Sequence, residues 1–364
     1  MPKLSSRPSC LTLMRGLLAA CLLSMTLATP ALAGGSEQKA GTPTYASRNY
    51  DYYLTGSATD QSPQAPATPL AVLMGGGPDV DAAFMAMIAK ARGAGNTPID
   101  VVVIRASGAD GYNDYLHQMG GVDSVETLVV KTREGANDAN VQRIVAGADL
   151  LFIAGGDQWD YIKLWKGTAL DQAVQGLIAR KVPVGGTSAG LAVLAQFDFS
   201  AQNDTITSAQ AMANPYDRRL TLDRGFITSV PGLGNTIADA HLVTRDRMGR
   251  LMTFLARIIK DAWVARPDDA RGIGVDEQTA VVVDDGVGTV MGLGAAYFLR
   301  PSIAATTIQA KMPLSFASVR VDRLRAQEGT MDLRNWSRSP NVAPYWLDVI
   351  GGVLTSSGAN GSIY

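Results

Sequence analysis

Between residues 69 and 187 the chain alternates short, continuously apolar runs with amphipathic segments, and few architectures accept that pattern. PLAVLM (69–74), IDVVVIR (99–105), SVETLVV (124–130), DLLFIA (149–154) and VPVG (182–185) read as strands. VDAAFMAMIAKARG (80–93), NDANVQRIVAG (137–147) and ALDQAVQGLIARK (169–181) carry helical spacing, the last behind the N-cap residue Thr168. A strand that is apolar on both faces must be covered on both faces. The pattern therefore predicts an α/β fold, a three-layer sandwich around a mostly parallel sheet. In open α/β sheets, ligands bind beyond the C-terminal ends of the strands.

One such end is PVGGTSAGLAVLAQF (183–197), where Ser188 stands among small residues between a strand and an apolar helix. This is the layout of a nucleophile elbow, in which a tight turn exposes the serine Oγ beside a backbone N–H. The same residues also suit a plain Ser/Thr helix N-cap with glycines for the turn. Serine-based acyl transfer needs a base, an orienting acid and an oxyanion hole. The chain has two histidines, and only His241, in Asp239-Ala240-His241, follows Ser188. His117, in GYNDYLHQM, has aromatic neighbours and reads as a surface or packing residue. Glu277 follows the apolar run Gly272–Val275 and is the candidate acid, with a solvated turn as its plain alternative. Asp204 and Asp223 would instead give the chain order Ser, acid, His of α/β-hydrolases. Ala154-Gly155-Gly156-Asp157-Gln158 also follows a strand. The backbone N–H groups near Gly156 and Asp157, together with that of Ala189, are candidates for an oxyanion hole. GGGPDVD (75–81) is a rival phosphate loop, but it lacks G-x-G-x-x-G and a P-loop lysine, and Asp79 and Asp81 would repel phosphate.

The first 33 residues read as a secretory signal: Lys3, Arg7 and Arg15, an apolar run, then Ala31-Leu32-Ala33. Leu18-Ala19-Ala20-Cys21 resembles a lipobox, but the apolar run continues past Cys21. The expected location is exported, periplasmic or extracellular, with no stable membrane insertion after cleavage. Both cysteines, Cys10 and Cys21, lie in this segment. The remainder then has neither a disulfide nor a cysteine nucleophile, and two histidines nearly exclude a His-rich zinc site. No metal and no cofactor is expected. Losing three positive charges makes a chain of formal net charge −1 more acidic, against nucleic-acid binding. Residues 34–67, rich in Gly, Pro and small polar residues, read as a flexible linker or surface arm that Tyr45, Tyr50, Tyr52 and Tyr53 could dock. Residues 68–300 form the expected catalytic domain. Residues 301–364 form a C-terminal β/loop extension.

GGDQ (155–158), GGTSAG (185–190), DAHLVTRDRMGRL (239–251) and GIGVDEQTA (272–280) together resemble the cyanophycinase and dipeptidase E family of serine peptidases. The resemblance runs from about Val72 to Val283. It implies a glutamine-amidotransferase-like α/β sandwich, with Ser188 as nucleophile, His241 as base and Glu277 as orienting acid. It also places Gln158, Asp239, Arg245, Arg247 and Arg250 where that family has substrate-facing or site-supporting residues. Arginines suit aspartate carboxylates as bidentate partners. The implied substrate is a β-aspartyl or other Asp-containing peptide or polymer, such as cyanophycin. The sequence departs from the family at Ala240 and Leu242, where Gln and Phe are usual. A silent binding protein on the same scaffold and an esterase stay open as alternatives, as does a homodimer.

Overall fold

The computed structural model describes residues 41–364 apart from Ala58 and Ser62. The expected signal segment lies outside the described residues. The five apolar runs do form five adjacent parallel strands. Their order in the sheet is Val122–Val130, Ile99–Arg105, Leu150–Ile153, Val184–Thr187 and Leu70–Met74. The helices between them are Asp81–Arg92, Ala139–Ala146, Gln158–Trp165 and Ala169–Ala179, among shorter ones.

The sheet as a whole is not mostly parallel, which corrects the expectation above. Tyr50–Gly56 pairs antiparallel on one side, and Thr279–Asp284, Val287–Gly292, Thr330–Asp332 and Ser337–Ser339 extend it antiparallel on the other. A second sheet is also mixed. In order it runs Val353–Ser356, Tyr345–Ile350, Phe316–Arg325, Ala295–Pro301, Arg271–Val275, Thr236–Asp239, Phe197–Phe199 and Leu222–Arg224. The physical reason is connection length. Parallel neighbours need a crossover helix, whereas a tight turn such as Asp285-Gly286, both at positive φ, can only return the chain antiparallel.

Three clusters of buried side chains define the layers. Phe84 and Met87 of the first helix pack on Val72, Val101 and Val103, covering one face of the parallel strands. The opposite face is covered by Tyr161, Trp165, Leu170 and Leu177 of two helices and by Ile273, Val275 and Phe298 of the second sheet. Leu251, Met252 and Leu255, on the helix Met248–Lys260, close the far side of that sheet. Burying each such side chain contributes roughly 1.5–3 kcal/mol. That face of the parallel strands is thus shared between helices and a second sheet.

The segment read as a flexible arm contains a strand. Tyr50–Gly56, inside the expected arm, pairs with Val122–Val130, where Tyr50 and Tyr53 are buried. Residues 301–364, expected as a β/loop extension, contribute strands to both sheets. Among the described residues, no helix is long and apolar enough to cross a membrane.

Candidate active site

Three strand ends converge. The strand Val184–Thr187 runs straight into the short helix Ala189–Ala192, and Ser188 is the pivot, at φ 54° and ψ −111°. Positive φ in a non-glycine residue costs on the order of 1–3 kcal/mol and persists only where the surroundings impose it. Here the Ser188 N–H donates to the Met74 carbonyl at 3.0 Å. The elbow also needs its glycines. A Cβ on Gly190 would sit 2.0 Å from the Ile153 carbonyl oxygen, and one on Gly186 would sit 2.5 Å from the backbone of Gly190. The Ser188 hydroxyl makes no cap bond, so the N-cap alternative does not describe its contacts.

His241 follows the strand Thr236–Asp239, at φ 52°, and Gln278 follows Arg271–Val275, at φ 54°. Ser188 Oγ lies 2.7 Å from His241 Nε2, and His241 Nδ1 lies 2.5 Å from Glu277 Oε1. With the ring proton on Nδ1, the imidazole donates to Glu277 and accepts from the serine hydroxyl. His241 is 3% exposed and Glu277 25% exposed. Burial pushes the imidazole pKa down to about 4; the Glu277 hydrogen bond opposes this, and Arg245 and Arg247 add to it. At neutral pH the ring is therefore uncharged and able to take a proton. The ring Nδ1 is occupied by Glu277 and not by Asp204 or Asp223. Asp223 instead pairs with Lys166 at 2.8 Å.

The loop Gly75–Gly77, which the sequence offered only as a weak phosphate loop, folds over this relay. Gly75 O accepts the His241 N–H and Gly76 O accepts the Gln278 N–H, both at 2.9 Å. Gly76, at φ 93°, lies so close that an added Cβ would be 2.3 Å from His241 Cε1. Asp276 was also missed. Its Oδ1 accepts the N–H groups of Val243 and Thr244 and the Thr244 hydroxyl, at 3.0–3.2 Å, and so holds the segment after His241. Three glycines at a strand end were the available signal for the loop. Nothing local marked Asp276.

Gly155 faces Ser188 from the next strand end: a Cβ there would be 3.5 Å from the serine Cβ. Gly156 and Asp157 follow it. Asp157 caps the helix Gln158–Trp165 by accepting the Trp159 N–H at 2.9 Å. Ala189 opens its own helix, where the first N–H groups lack intrahelical partners.

The residues carried over as substrate-facing divide. Asp239 and Arg250 are buried against each other, in a bidentate pair at 2.7 and 2.5 Å. Arg250, 2% exposed, also donates to Thr205 Oγ1 at 3.2 Å and lies over the Phe199 ring. Neither can face a substrate, so the substrate-binding assignment fails for both and the site-supporting one remains. Arg247 donates to the Ala240 carbonyl at 2.9 Å and is half-buried. Gln158 donates to the Phe199 carbonyl at 3.2 Å. Arg245 is exposed, and among the described residues it makes no ion pair. His117 ends the helix Asn113–His117 beside Gly56.

A family model described as "Peptidase family S51" matches residues 109–217, a span that includes Ser188 but not His241 or Glu277. The cyanophycinase of Trichormus variabilis is 29% identical over 214 residues, covering 55% of this chain and 63% of the relative. The chain therefore spans under two thirds of that protein's length. The cyanophycinase of Geminocystis herdmanii is 28% identical over 221 residues, covering 58% of this chain and 72% of the relative. A solved peptidase structure from an acI-B1 Actinobacterium is 18% identical, with a TM-score of 0.48, and covers 74% of this chain and 98% of that one.

Proposed function

We propose, for a chain that belongs with the cyanophycinase and peptidase E-like proteins, a serine-peptidase mechanism acting on Asp-containing peptide bonds, β-aspartyl linkages among them. The observation that supports it is the continuous relay from Ser188 Oγ through His241 to Glu277, at 2.7 and 2.5 Å, on a strained elbow. In this reading His241 Nε2 takes the hydroxyl proton as Oγ attacks the scissile carbonyl. Glu277 holds the ring and balances the imidazolium that forms. The N–H groups of Ala189 and of the Gly156–Asp157 turn receive the oxyanion. His241 then protonates the leaving amine, and water hydrolyses the acyl-enzyme.

The substrate class is read from charge. Arg245 is the carried-over arginine that stands exposed beside His241, and its charge suits an aspartate carboxylate. Ala240 and Leu242, where the family usually has Gln and Phe, are both buried in the core. Positions 1–33 support export, which an N-terminus at Gly34 in protein recovered outside the cytoplasm would test. The deciding assay compares wild type and Ser188→Ala on cyanophycin, β-Asp-Arg, Asp-first dipeptides and p-nitrophenyl esters. Release from an Asp-containing substrate, lost in Ser188→Ala, is expected. Release from esters alone would favour an esterase, and no release at all a silent scaffold.

A further inference from the structure

A cavity of about 400 Å³ lies at the end of the second sheet, far along the chain from the residues that carry the family resemblance. It is lined by the end of the strand Phe316–Arg325, by Glu328 and Arg338, and by the segments 342–345 and 357–364. Its walls combine two guanidinium groups, Arg323 and Arg338, with the rings of Tyr345 and Tyr364 and an apolar side that includes Val321 and Pro344.

The charges in it do not cancel. Among the described residues, Arg323 has no carboxylate within ion-pair distance. Arg338 has Glu328, at 3.6 Å, and that contact is long. The same Glu328 Oε2 already accepts the Arg325 N–H at 3.0 Å. Arg338 is 9% exposed and is fixed by donating to the Arg323 carbonyl at 2.6 Å, while its Nε is buried without an acceptor. Tyr345 and Tyr364 are held in place as well. Tyr345 donates to the Ile363 carbonyl, and Tyr364 donates to Asp246 while accepting the Met248 N–H. The walls are therefore already ordered, so little conformational entropy remains to be lost on binding.

We propose that this cavity binds a small organic carboxylate. The volume is at the low end of small-ligand sites. A net cationic wall that carries two guanidinium groups and one carboxylate selects a carboxylate or phosphate. The apolar and aromatic side gives surface to a carbon-bodied acid and nothing to a bare inorganic anion. The site does not depend on the peptidase reading. Tyr364 also joins its wall to the turn at Asp246, between Arg245 and Arg247.

Titration calorimetry of the full chain with succinate, with its neutral isostere succinamide and with inorganic phosphate tests this. Saturable succinate binding at one site per chain is expected, with none for succinamide. Arg323→Gln, at a half-exposed position, is expected to weaken succinate at least tenfold. Ala359→Trp, at an exposed rim residue, is expected to block it without disturbing the core. Circular dichroism confirms that both variants fold. Absence of saturable binding would overturn the proposal, as would binding unchanged in both variants. Phosphate binding as tightly as succinate would overturn the organic-acid assignment.

Discussion

Two side-chain pairs begin two residues apart in the chain, at the end of the strand Thr236–Asp239. Asp239 pairs with Arg250, and His241 pairs with Glu277. In the first, both carboxylate oxygens are engaged and the guanidinium, itself buried like Asp239, donates to two further oxygens. In the second, one ring nitrogen is held by the carboxylate and the other faces a serine hydroxyl. The first has no valence left over. The second has one, it is aimed, and it sits on a backbone of three positive-φ residues. A saturated ion pair supports structure, whereas an unsaturated one held by strain supports chemistry.

The largest expected effect is on the unsaturated pair. Ser188→Ala should lower kcat by a factor on the order of 10⁴–10⁶ while the thermal midpoint stays close to wild type. Kinetics and calorimetry on one preparation would check both halves. An active Ser188→Ala protein would remove the basis for the comparison.

On the saturated pair, Arg250→Met should cost about 3–5 kcal/mol of folding stability, because it leaves Asp239 buried and alone. Denaturant unfolding measures this. Adding Asp239→Leu should restore much of the loss, since a matched apolar pair replaces a matched ionic one. If Arg250→Met instead left stability intact and raised only KM, Arg250 would belong with the substrate after all.

Gly76→Ala probes the cover over the relay. The new Cβ would press on the His241 ring at a φ that disfavours alanine. Misplacing the ring by about 1 Å should reduce kcat roughly 10²-fold, with a smaller change in KM.

The smallest effect is electrostatic. His241 must be neutral to act as base, so the acid limb of kcat/KM should lie near pH 4 rather than at the ordinary imidazole value. Arg245→Gln removes one like charge and should move that limb upward by less than about one pH unit. The same shift has a consequence for stability. Between about pH 6.5 and the lowered folded value, the unfolded chain binds the proton and the folded one does not. Stability from this group is therefore present above that window and lost as pH falls through it. An acid limb unmoved by Arg245→Gln would mean that Arg245 is remote from the ring in solution.

Much of the frame was legible in the chain. Apolar runs such as Leu70–Met74 and Ile99–Arg105 are too continuous for a one-sided strand, and the helices between them leave parallel pairing as the solution. Ser188 could be proposed from its elbow, His241 because it is the one histidine after that serine, and Glu277 from its place after an apolar run and from the family resemblance. The second sheet was legible only in part: residues 272–299 and 315–327 read as strands, but its other members did not. Strands such as Phe197–Phe199 and Leu222–Arg224 are three residues long, below any periodicity, and Tyr345–Ile350 alternates weakly. Their conformation comes from neighbours contributed by distant parts of the chain.

The sequence by itself determined which strand ends would carry chemistry, since glycines at 75–77, 155–156 and 185–190 permit close approach wherever the chain places them. Only the tertiary structure decided how each charge would be used. Arg245, Arg247 and Arg250 are equivalent on paper. The start of the helix at Met248 points Arg250 into the core toward Asp239 and leaves Arg245 in solvent. Burial is set by what packs against a side chain, and those partners, Phe199, Thr205 and Asp239, come from other strands and loops. A local sequence motif does not contain them.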